Sequence, residues 1–245
     1  MKKVLVITCA TVGLISRARC SVLEQDYPNY ETLILTAKPD ATVSKCENII
    51  RCHNAARKLA LASDADYFAW VDDDIVLPRN ALSNLMLQLE QPPMDKGQFS
   101  HLTSLLPDGV MSDNPKKHII GGWFRVKNED GLLVDVWNCG RWVADNTIAS
   151  VTAVEPSVTR VDKIDLGCLL MSREVLEKVD WRGGDSLVIN KTQHPCVCLM
   201  FARDAQDAGY ALYMDGSVVC EHLLRSGKWI LELKRRLMKL LGLRH

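Results

Sequence analysis

Apolar runs alternate with amphipathic segments through the first third of the chain. Residues 3–8, 32–36 and 66–71 are short runs rich in aliphatic and aromatic side chains, and each predicts a buried strand. Between them, residues 16–25 and 46–62 place apolar side chains at helical spacing. This alternation favours right-handed βαβ crossovers and a parallel sheet, whose ligands bind beyond the carboxyl ends of the strands.

Later segments continue this pattern around one irregular stretch. Residues 91–161 combine turn signals with strand-like runs at 123–126 and 132–136, which is typical of a hairpin-bearing insert. Regular elements lie on both sides of it: helices at 78–90, 173–179 and 196–208, and strands at 164–171 and 211–213. We therefore expect a single α/β domain with a mostly parallel central sheet flanked by helices, and with a hairpin-bearing insert.

Composition fits a globular domain and excludes one class of partner. The chain has 245 residues, of which 47% are hydrophobic, and 30 basic residues cancel 30 acidic ones. Without a net positive charge, binding of nucleic acid is not expected. The apolar start at residues 4–7 predicts a first strand and not a signal peptide, and no apolar run approaches the ~20 residues of a spanning helix. Nine cysteines, several in predicted strands or helices, favour reduced thiols and a cytoplasmic protein.

The C-terminal segment, residues 226–245, predicts a basic amphipathic helix. Its apolar side chains recur at helical spacing and its basic ones lie largely elsewhere around the helix: Trp229, Ile230, Leu233, Leu237, Leu240 and Leu241 against Lys234, Arg235, Arg236, Lys239 and Arg244. The simpler interpretation is docking on its own domain or on a second subunit. The other is peripheral contact with an anionic membrane interface.

Three adjacent carboxylates, Asp72, Asp73 and Asp74, follow the third predicted strand. Aspartate is depleted in strands and adjacent carboxylates repel each other, so a cation or solvent must compensate them. If the backbone stays extended, Asp72 and Asp74 project to one side and Asp73 to the other. Two carboxylates on one side suit Mg²⁺ or Mn²⁺, which accept oxygen ligands and phosphate. The alternative is a solvated acidic turn before the next helix.

Four segments in this order resemble the nucleotide-sugar glycosyltransferases of the GT-A fold, particularly the family-2-like group. The first comprises residues 4–8, Arg17 and 23–31; the second contains Arg51-x-x-Asn54-Ala55-Ala56-Arg57, Asp66-Tyr67, the triplet and Pro78-x-x-Ala81-Leu82. The third is residues 165–176; the fourth contains Ala208-Gly209-Tyr210, Tyr213-x-Asp215-x-Ser217-Val218 and Glu221-His222. Each segment is weakly specific, whereas their order and spacing in one chain are more so. Most of the insert is unmatched.

The resemblance implies a role for each half of the domain. Residues 1–90 correspond to the nucleotide-sugar-binding half and residues 91–225 to the acceptor-binding half. A nucleoside diphosphate sugar, with UDP or GDP as its nucleotide, is the implied donor, and a carbohydrate, a lipid-linked molecule or a protein is the implied acceptor. A basic amphipathic C-terminal helix on a membrane surface would suit a lipid-linked acceptor.

The resemblance also assigns donor-site residues. The loop after the first strand and the end of the second would lie against the nucleobase: Thr8, Cys9, Ala10, Thr11, Thr36 and Lys38. Within the triplet, Asp72 would contact the sugar or ribose and the metal, Asp73 would be a further residue of the donor site, and Asp74 would ligate the metal. Gly167 would let the backbone approach the donor sugar. His222 would complete the metal or diphosphate site, for which a neutral imidazole is a competent ligand.

One part of the family pattern is missing. Inverting relatives usually carry an acidic pair at the start of the helix before the Ala-Gly-Tyr segment, where this chain has Val197 and Cys198. His194 and Asp185 are the remaining candidates for a general base, although a helix cap and a turn residue explain them as well. A retaining enzyme needs no such base.

Two further functions and one aromatic cluster stay open. A sugar-phosphate nucleotidyltransferase shares the sheet architecture but needs a Gly-rich phosphate loop, and residues 9–16 contain only Gly13. A non-catalytic nucleotide-sugar-binding protein would explain the missing acidic pair. Trp123, Trp137 and Trp142 either stack on sugars of an acceptor or form the core of the hairpin.

Overall fold

Five helices and sixteen strands form the part of the chain that can be described. The structure is a computed structural model, and it describes residues 1–10, 16–36, 38, 40–91, 117–127, 133–144, 147–151, 154, 157–183, 188–189, 192–193 and 197–224. The helices are α1 Ser16–Leu23, α2 Lys45–Ala62, α3 Ala81–Glu90, α4 Arg173–Lys178 and α5 Val197–Asp207. Within these ranges, no helix is long and apolar enough to cross a membrane. The predicted C-terminal helix lies outside them.

The strands form one large sheet and four small ones. They are β1 Val4–Ala10, β2 Tyr30–Thr36, β3 Tyr67–Val71, β4 Ile75–Val76, β5 Lys117–Trp123, β6 Arg125–Lys127, β7 Leu133–Trp137, β8 Cys139–Ala144, β9 Thr147–Ser150, β10 Val158–Val161, β11 Lys163–Ile164, β12 Cys168–Ser172, β13 Val188–Ile189, β14 Thr192–Gln193, β15 Ala211–Val219 and β16 Glu221–His222. The large sheet has the order β10-β15-β5-β12-β3-β1-β2.

The α/β fold class is confirmed, but the sheet is mixed. β1 pairs in parallel with β2 and β3, and β15 with β5, as crossover connections require. In contrast, β12 runs antiparallel to β3 and β5, and β10 runs antiparallel to β15. The chain enters β12 at Cys168, opposite Val71 at the carboxyl end of β3, so β12 can only run back along it. Hydrophobic pattern alone does not show this reversal.

Both faces of the large sheet are buried along its central strands, where alternate residues point to opposite sides and pack into two clusters. Leu5, Ile7, Phe68 and Trp70 belong to one apolar cluster, which also contains residues of α2, α4 and α5. Val4, Val6, Ala69 and Val71 belong to a second cluster with residues of α1 and α3. The continuous apolar runs in the sequence are thus explained by helices on both sides.

One predicted strand and part of the predicted insert differ from the structure. The strand predicted at 211–213 continues as β15 to Val219, and within it Oδ1 of the buried Asp215 accepts the N–H of Ser217 at 2.8 Å. The chain passes this point through a register irregularity. β5 lies inside the region predicted as an insert, yet it is a central strand of the large sheet. The predicted hairpin is confirmed as the antiparallel pair β6 and β7.

Candidate functional site

The acidic triplet forms a turn at the carboxyl end of β3. The strand ends at Val71, and the N–H of Ile75 donates to the carbonyl of Asp72 at 3.2 Å, which closes a turn over the three aspartates. The backbone of the triplet is therefore not extended, so the prediction that strand alternation places Asp72 and Asp74 on one side loses its basis. Asp73 is nevertheless the buried member of the triplet, 8% exposed, while Asp72 and Asp74 are both partly exposed.

His222 lies beside Asp74 because two short strands pair. β16 runs antiparallel to β4, with His222 opposite Ile75, and the N–H of Leu223 donates to the carbonyl of Asp74 at 2.8 Å. The Nε2 atom of His222 is 3.3 Å from Oδ1 of Asp74. Two residues far apart in the sequence thus meet at the end of the sheet where parallel α/β folds bind ligands.

The backbone sets the tautomer of His222. Its Nδ1 lies 2.6 Å from the carbonyl oxygen of Arg125, and a carbonyl only accepts, so we assign the proton to Nδ1. In a neutral imidazole, Nε2 then directs a lone pair towards Asp74. A lone pair and a carboxylate oxygen at 3.3 Å need a second proton or a cation between them. A donated Nδ1–H of this kind is how proteins orient metal-binding histidines.

Two protein groups compensate the charge of Asp74. Its Oδ2 accepts a hydrogen bond from Nζ of Lys127 at 2.6 Å. Burial alone would raise the pKa of Asp74, but hydrogen bonds and charges from His222 and Lys127 lower that pKa to about 2. The carboxylate is therefore ionised at neutral pH.

The pKa of Asp72 is shifted in the opposite direction. Burial, followed by the negative charges of Asp74 and Asp73, raises the pKa of Asp72 to about 7, and His222 offsets this only in part. Its N–H donates to the carbonyl of Gly167 at 3.1 Å, which joins the triplet to the turn before β12. Additional positive charge near the triplet would favour the ionised form of Asp72.

Gly167 is explained by packing as well as by any approach to a donor. A Cβ atom at this position would lie 2.7 Å from the ring of Phe124 and 3.1 Å from Ile75. The same Phe124 ring contacts the His222 imidazole edge to face, with centroids 5.5 Å apart. A side chain at 167 would therefore displace a ring that supports His222; contact with a donor sugar stays a prediction.

The predicted nucleobase residues lie at the ends of β1 and β2. The hydroxyl of Thr8 is fully buried, with no hydrogen-bond partner among the described residues, so it does not face a solvent-accessible donor in this conformation. Cys9 is partly buried, with its Sγ 3.9 Å from the carbonyl oxygen of Cys52. A side-chain hydrogen bond with Cys52, followed by burial, raises the pKa of Cys9. Ala10 is buried, whereas Thr36 and Lys38 are exposed.

Three predicted site residues, Thr11, Asp185 and His194, lie outside the described residues. The described part of helix α5 begins at Val197. Val197 and Cys198 occupy the positions at which the resemblance predicts an acidic pair. Eight cysteines within the described ranges carry free thiols, and Cys196 lies outside those ranges.

A cavity of about 390 Å³ opens beside His222. Arg125, Trp137 and Glu221 contribute to its wall, and the guanidinium of Arg125 lies over the Trp137 ring at 6.0 Å. Trp123 is fully buried and packs edge to face against Trp137, so Trp123 belongs to the core and Trp137 to the cavity. The side chain of Trp142 lies outside the described ones.

Sequence reasoning missed Lys127, Arg125 and Asn138. Lys127 and Arg125 lie on β6, two residues apart, and their contacts reach Asp74 and His222. Asn138 is fully buried behind them, where its side chain joins the backbones of Gly122 and Phe124. A lone lysine or asparagine near turn residues carries no signal that distinguishes these roles from a solvated loop.

This geometry fits a divalent ion with two protein ligands, Asp74 and His222. Two adjacent ligands at about 2.1 Å from an octahedral ion are about 3.0 Å apart, close to the distance between Asp74 Oδ1 and His222 Nε2. Within the described ranges, no three His, Cys, Asp or Glu side chains are grouped to hold a metal by themselves. The remaining ligands would come from water and a bound substrate.

Two solved structures resemble the fold. A197 from STIV has a TM-score of 0.53 and 13% sequence identity, and the match covers 91% of this chain and 86% of that one. GalNAc-T7, crystallised with UDP, GalNAc and Mn²⁺, has a TM-score of 0.53 and 11% identity, and the match covers 91% of this chain and 44% of that one. No protein family and no curated protein matches the sequence. The likeness is therefore one of fold, an α/β arrangement compatible with the Rossmann-like GT-A fold.

Proposed function

We propose that the protein is a glycosyltransferase that moves a sugar from a nucleoside diphosphate sugar to an acceptor, with Mn²⁺ or Mg²⁺ at the acidic turn. The observation that carries this proposal is the convergence of Asp74 Oδ1 and His222 Nε2 at the carboxyl end of β3. The GT-A-like fold supports it, as does GalNAc-T7, a fold neighbour whose crystals contain UDP, GalNAc and Mn²⁺.

In this proposal, Asp74 and His222 hold the ion, while Asp72 contacts the ion or the sugar. When bound, the ion supplies positive charge that stabilises the departing diphosphate. The carbonyl of Arg125 keeps Nε2 of His222 directed at the site, and Phe124 supports the imidazole ring. Cys9, Thr36 and Lys38 are the described residues of the predicted nucleobase site that are not buried, and in this proposal they contact the nucleobase.

The cavity beside His222 is the proposed acceptor side. It adjoins the diphosphate position, and Trp137 offers a flat apolar face suited to a sugar ring. Asp185 and His194 stay the candidates for a base that takes the acceptor's proton, if the enzyme is inverting. A carbohydrate, a lipid-linked molecule or a protein remains the acceptor class.

The test is release of nucleoside diphosphate from a panel of UDP- and GDP-sugars, with Mn²⁺, with Mg²⁺ and with EDTA. We expect turnover that EDTA abolishes, and a loss of about 100-fold or more in Asp74→Asn, because a neutral amide is a weaker ligand for the cation that would stabilise the departing diphosphate. Asp64→Asn is the matched control, since Asp64 is exposed and pairs with Lys3 away from the site.

Each alternative function has its own result in this test. A non-catalytic binding protein binds a nucleotide-sugar but releases no diphosphate from any donor. A nucleotidyltransferase forms pyrophosphate from a nucleoside triphosphate and a sugar phosphate. Either result would overturn the proposed transferase activity.

A further inference from the structure

Lys127 and Asp74 form an ion pair that is shielded from solvent. Their side chains are 16% and 14% exposed, and Nζ lies 2.6 Å from Oδ2. Lysine is rarely buried to this extent unless it is paired, because removing its ammonium group from water is costly. A pair of this kind at the proposed metal position therefore needs an explanation beyond surface solubility.

The two oxygens of Asp74 have different partners. Oδ2 accepts from Lys127, whereas Oδ1 faces Nε2 of His222 at 3.3 Å. An ammonium group on Oδ2 prevents both oxygens from chelating one cation. It leaves Oδ1 and Nε2 as a pair of single-atom ligands, held by strand β6 through both Lys127 and the carbonyl of Arg125.

The formal charges of this group cancel. Asp74 carries one negative charge and Lys127 carries one positive charge, so this ion pair has no net charge. A divalent cation that approaches without nucleotide meets two ligands and a nearby ammonium group, which repels it. A nucleoside diphosphate changes this balance, because its phosphate oxygens add both ligands and negative charge.

We propose that Lys127 is a positioning residue that holds Asp74 as a one-oxygen ligand and prevents the divalent cation from binding before the nucleoside diphosphate. This role rests on the proposed function and adds an order of binding to it: cation and nucleotide bind together. Removal of the ammonium group then strengthens the binding of the cation alone, the reverse of the effect of damage to a site.

The experiment measures Mn²⁺ affinity by electron paramagnetic resonance, with and without UDP or GDP, for the wild-type protein and Lys127→Met. We expect weak Mn²⁺ binding by the wild type alone, and binding at least about tenfold tighter with nucleotide. Lys127→Met should bind Mn²⁺ alone at least about tenfold more tightly than the wild type, because Asp74 gains a free oxygen and loses a repelling charge.

Lys127→Arg is the matched control, because it keeps the positive charge and should retain the wild-type order. Lys127→Gln, a smaller polar change, replaces Lys127→Met if circular dichroism shows that the latter is unfolded. If nucleotide and Mn²⁺ bind together but both neutral variants bind Mn²⁺ alone no more tightly than the wild type, the role of Lys127 is wrong. If the wild type binds no nucleotide and turns over no donor, the proposed function fails and this role fails with it.

Discussion

His53 lies between two indole rings, and burial lowers its pKa to about 4. Its ring is 5.4 Å from that of Trp70 and 5.3 Å from that of Trp181, and no described residue bonds its Nδ1. The folded protein therefore keeps this imidazole neutral down to acidic pH, whereas the unfolded chain protonates it near pH 6.5.

This difference predicts a pH-dependent loss of stability. Above pH 6.5 the folded and unfolded states bind the same number of protons at His53, so it contributes no pH dependence there. As pH falls from 6.5 to about 4, the unfolded state alone gains a proton, and the free energy of unfolding falls by up to about 3 kcal/mol. Urea unfolding between pH 7.5 and 4 measures this loss.

His53→Leu is the comparison for this prediction, because leucine has similar volume and cannot titrate. Over the same range, the free energy of unfolding of His53→Leu should fall by less than that of the wild type. The difference between the two losses should be up to about 3 kcal/mol. Parallel stability curves for the wild type and the variant would contradict a neutral, buried His53. The comparison removes the contribution of carboxylates, which both proteins share.

At the residue scale, the sequence revealed one side of the candidate site. Asp72 and Asp74 stand out because three carboxylates after a buried strand conflict with their surroundings. Lys127 gives no such signal, since it precedes the polar sequence Asn-Glu-Asp-Gly and meets Asp74, 53 positions away, only through the tertiary fold. The different exposure of Asp73 on one hand and Asp72 and Asp74 on the other arises from a turn and not from strand alternation.

Asn138 connects the hairpin strands to the site at the scale of elements. Its Nδ2 donates to the carbonyl of Gly122 at 3.0 Å, and its Oδ1 accepts from the N–H of Phe124 at 2.9 Å. Its backbone carbonyl accepts from Asp165 at 2.7 Å. The side-chain amide of Asn138, which directly follows β7, is thus bonded to β5 and to the residue before β6. The backbone carbonyl of Asn138 adds a bond to the turn before β12.

Asn138→Ala should lower the free energy of unfolding by about 2–4 kcal/mol, because it leaves two buried backbone groups without partners. Asn80→Ala is the matched control: Asn80 is exposed and makes no side-chain hydrogen bond as the N-cap of α3, so its loss should be below about 0.5 kcal/mol. Equal losses in chemical denaturation would show that the Asn138 amide does not join these elements.

We predict that the side chain of Trp137, on β7, contributes to binding of the acceptor. Trp137→Ala should raise the KM for a glycoside acceptor about tenfold and the KM for the donor much less, because the lost ring faces the cavity. Trp137→Phe keeps an aromatic face and should recover most of the acceptor affinity. Steady-state kinetics with a panel of glycosides measures both constants; an equal rise in the two would place Trp137 outside the acceptor site.

Prediction of the elements succeeded where a local pattern determines them. The sequence β1-α1-β2-α2-β3 follows from continuous apolar runs and helical spacing, and α2 begins at a Ser44 cap whose Oγ accepts from Glu47. The direction of β12 and the place of β5 in the large sheet depend on where the chain re-enters the sheet. Periodicity carries no information on that point.

At the scale of the whole molecule, the fold explains why the site is where it is. The parallel strands β1, β2 and β3 end at one edge of the sheet, with the acidic turn directly after β3. The later half returns His222 to that edge through β15 and β16, and supplies Lys127 and Arg125 through β6. Both halves of the chain therefore contribute to one candidate site.

A crystal structure with Mn²⁺ and UDP or GDP tests the central claim most directly. We predict one anomalous Mn²⁺ peak within about 2.3 Å of both Asp74 Oδ1 and His222 Nε2, with phosphate oxygens completing its ligands and Lys127 still on Oδ2. A nucleoside diphosphate bound away from Asp74 and His222, or Mn²⁺ held by other residues, would contradict the proposed glycosyltransferase site.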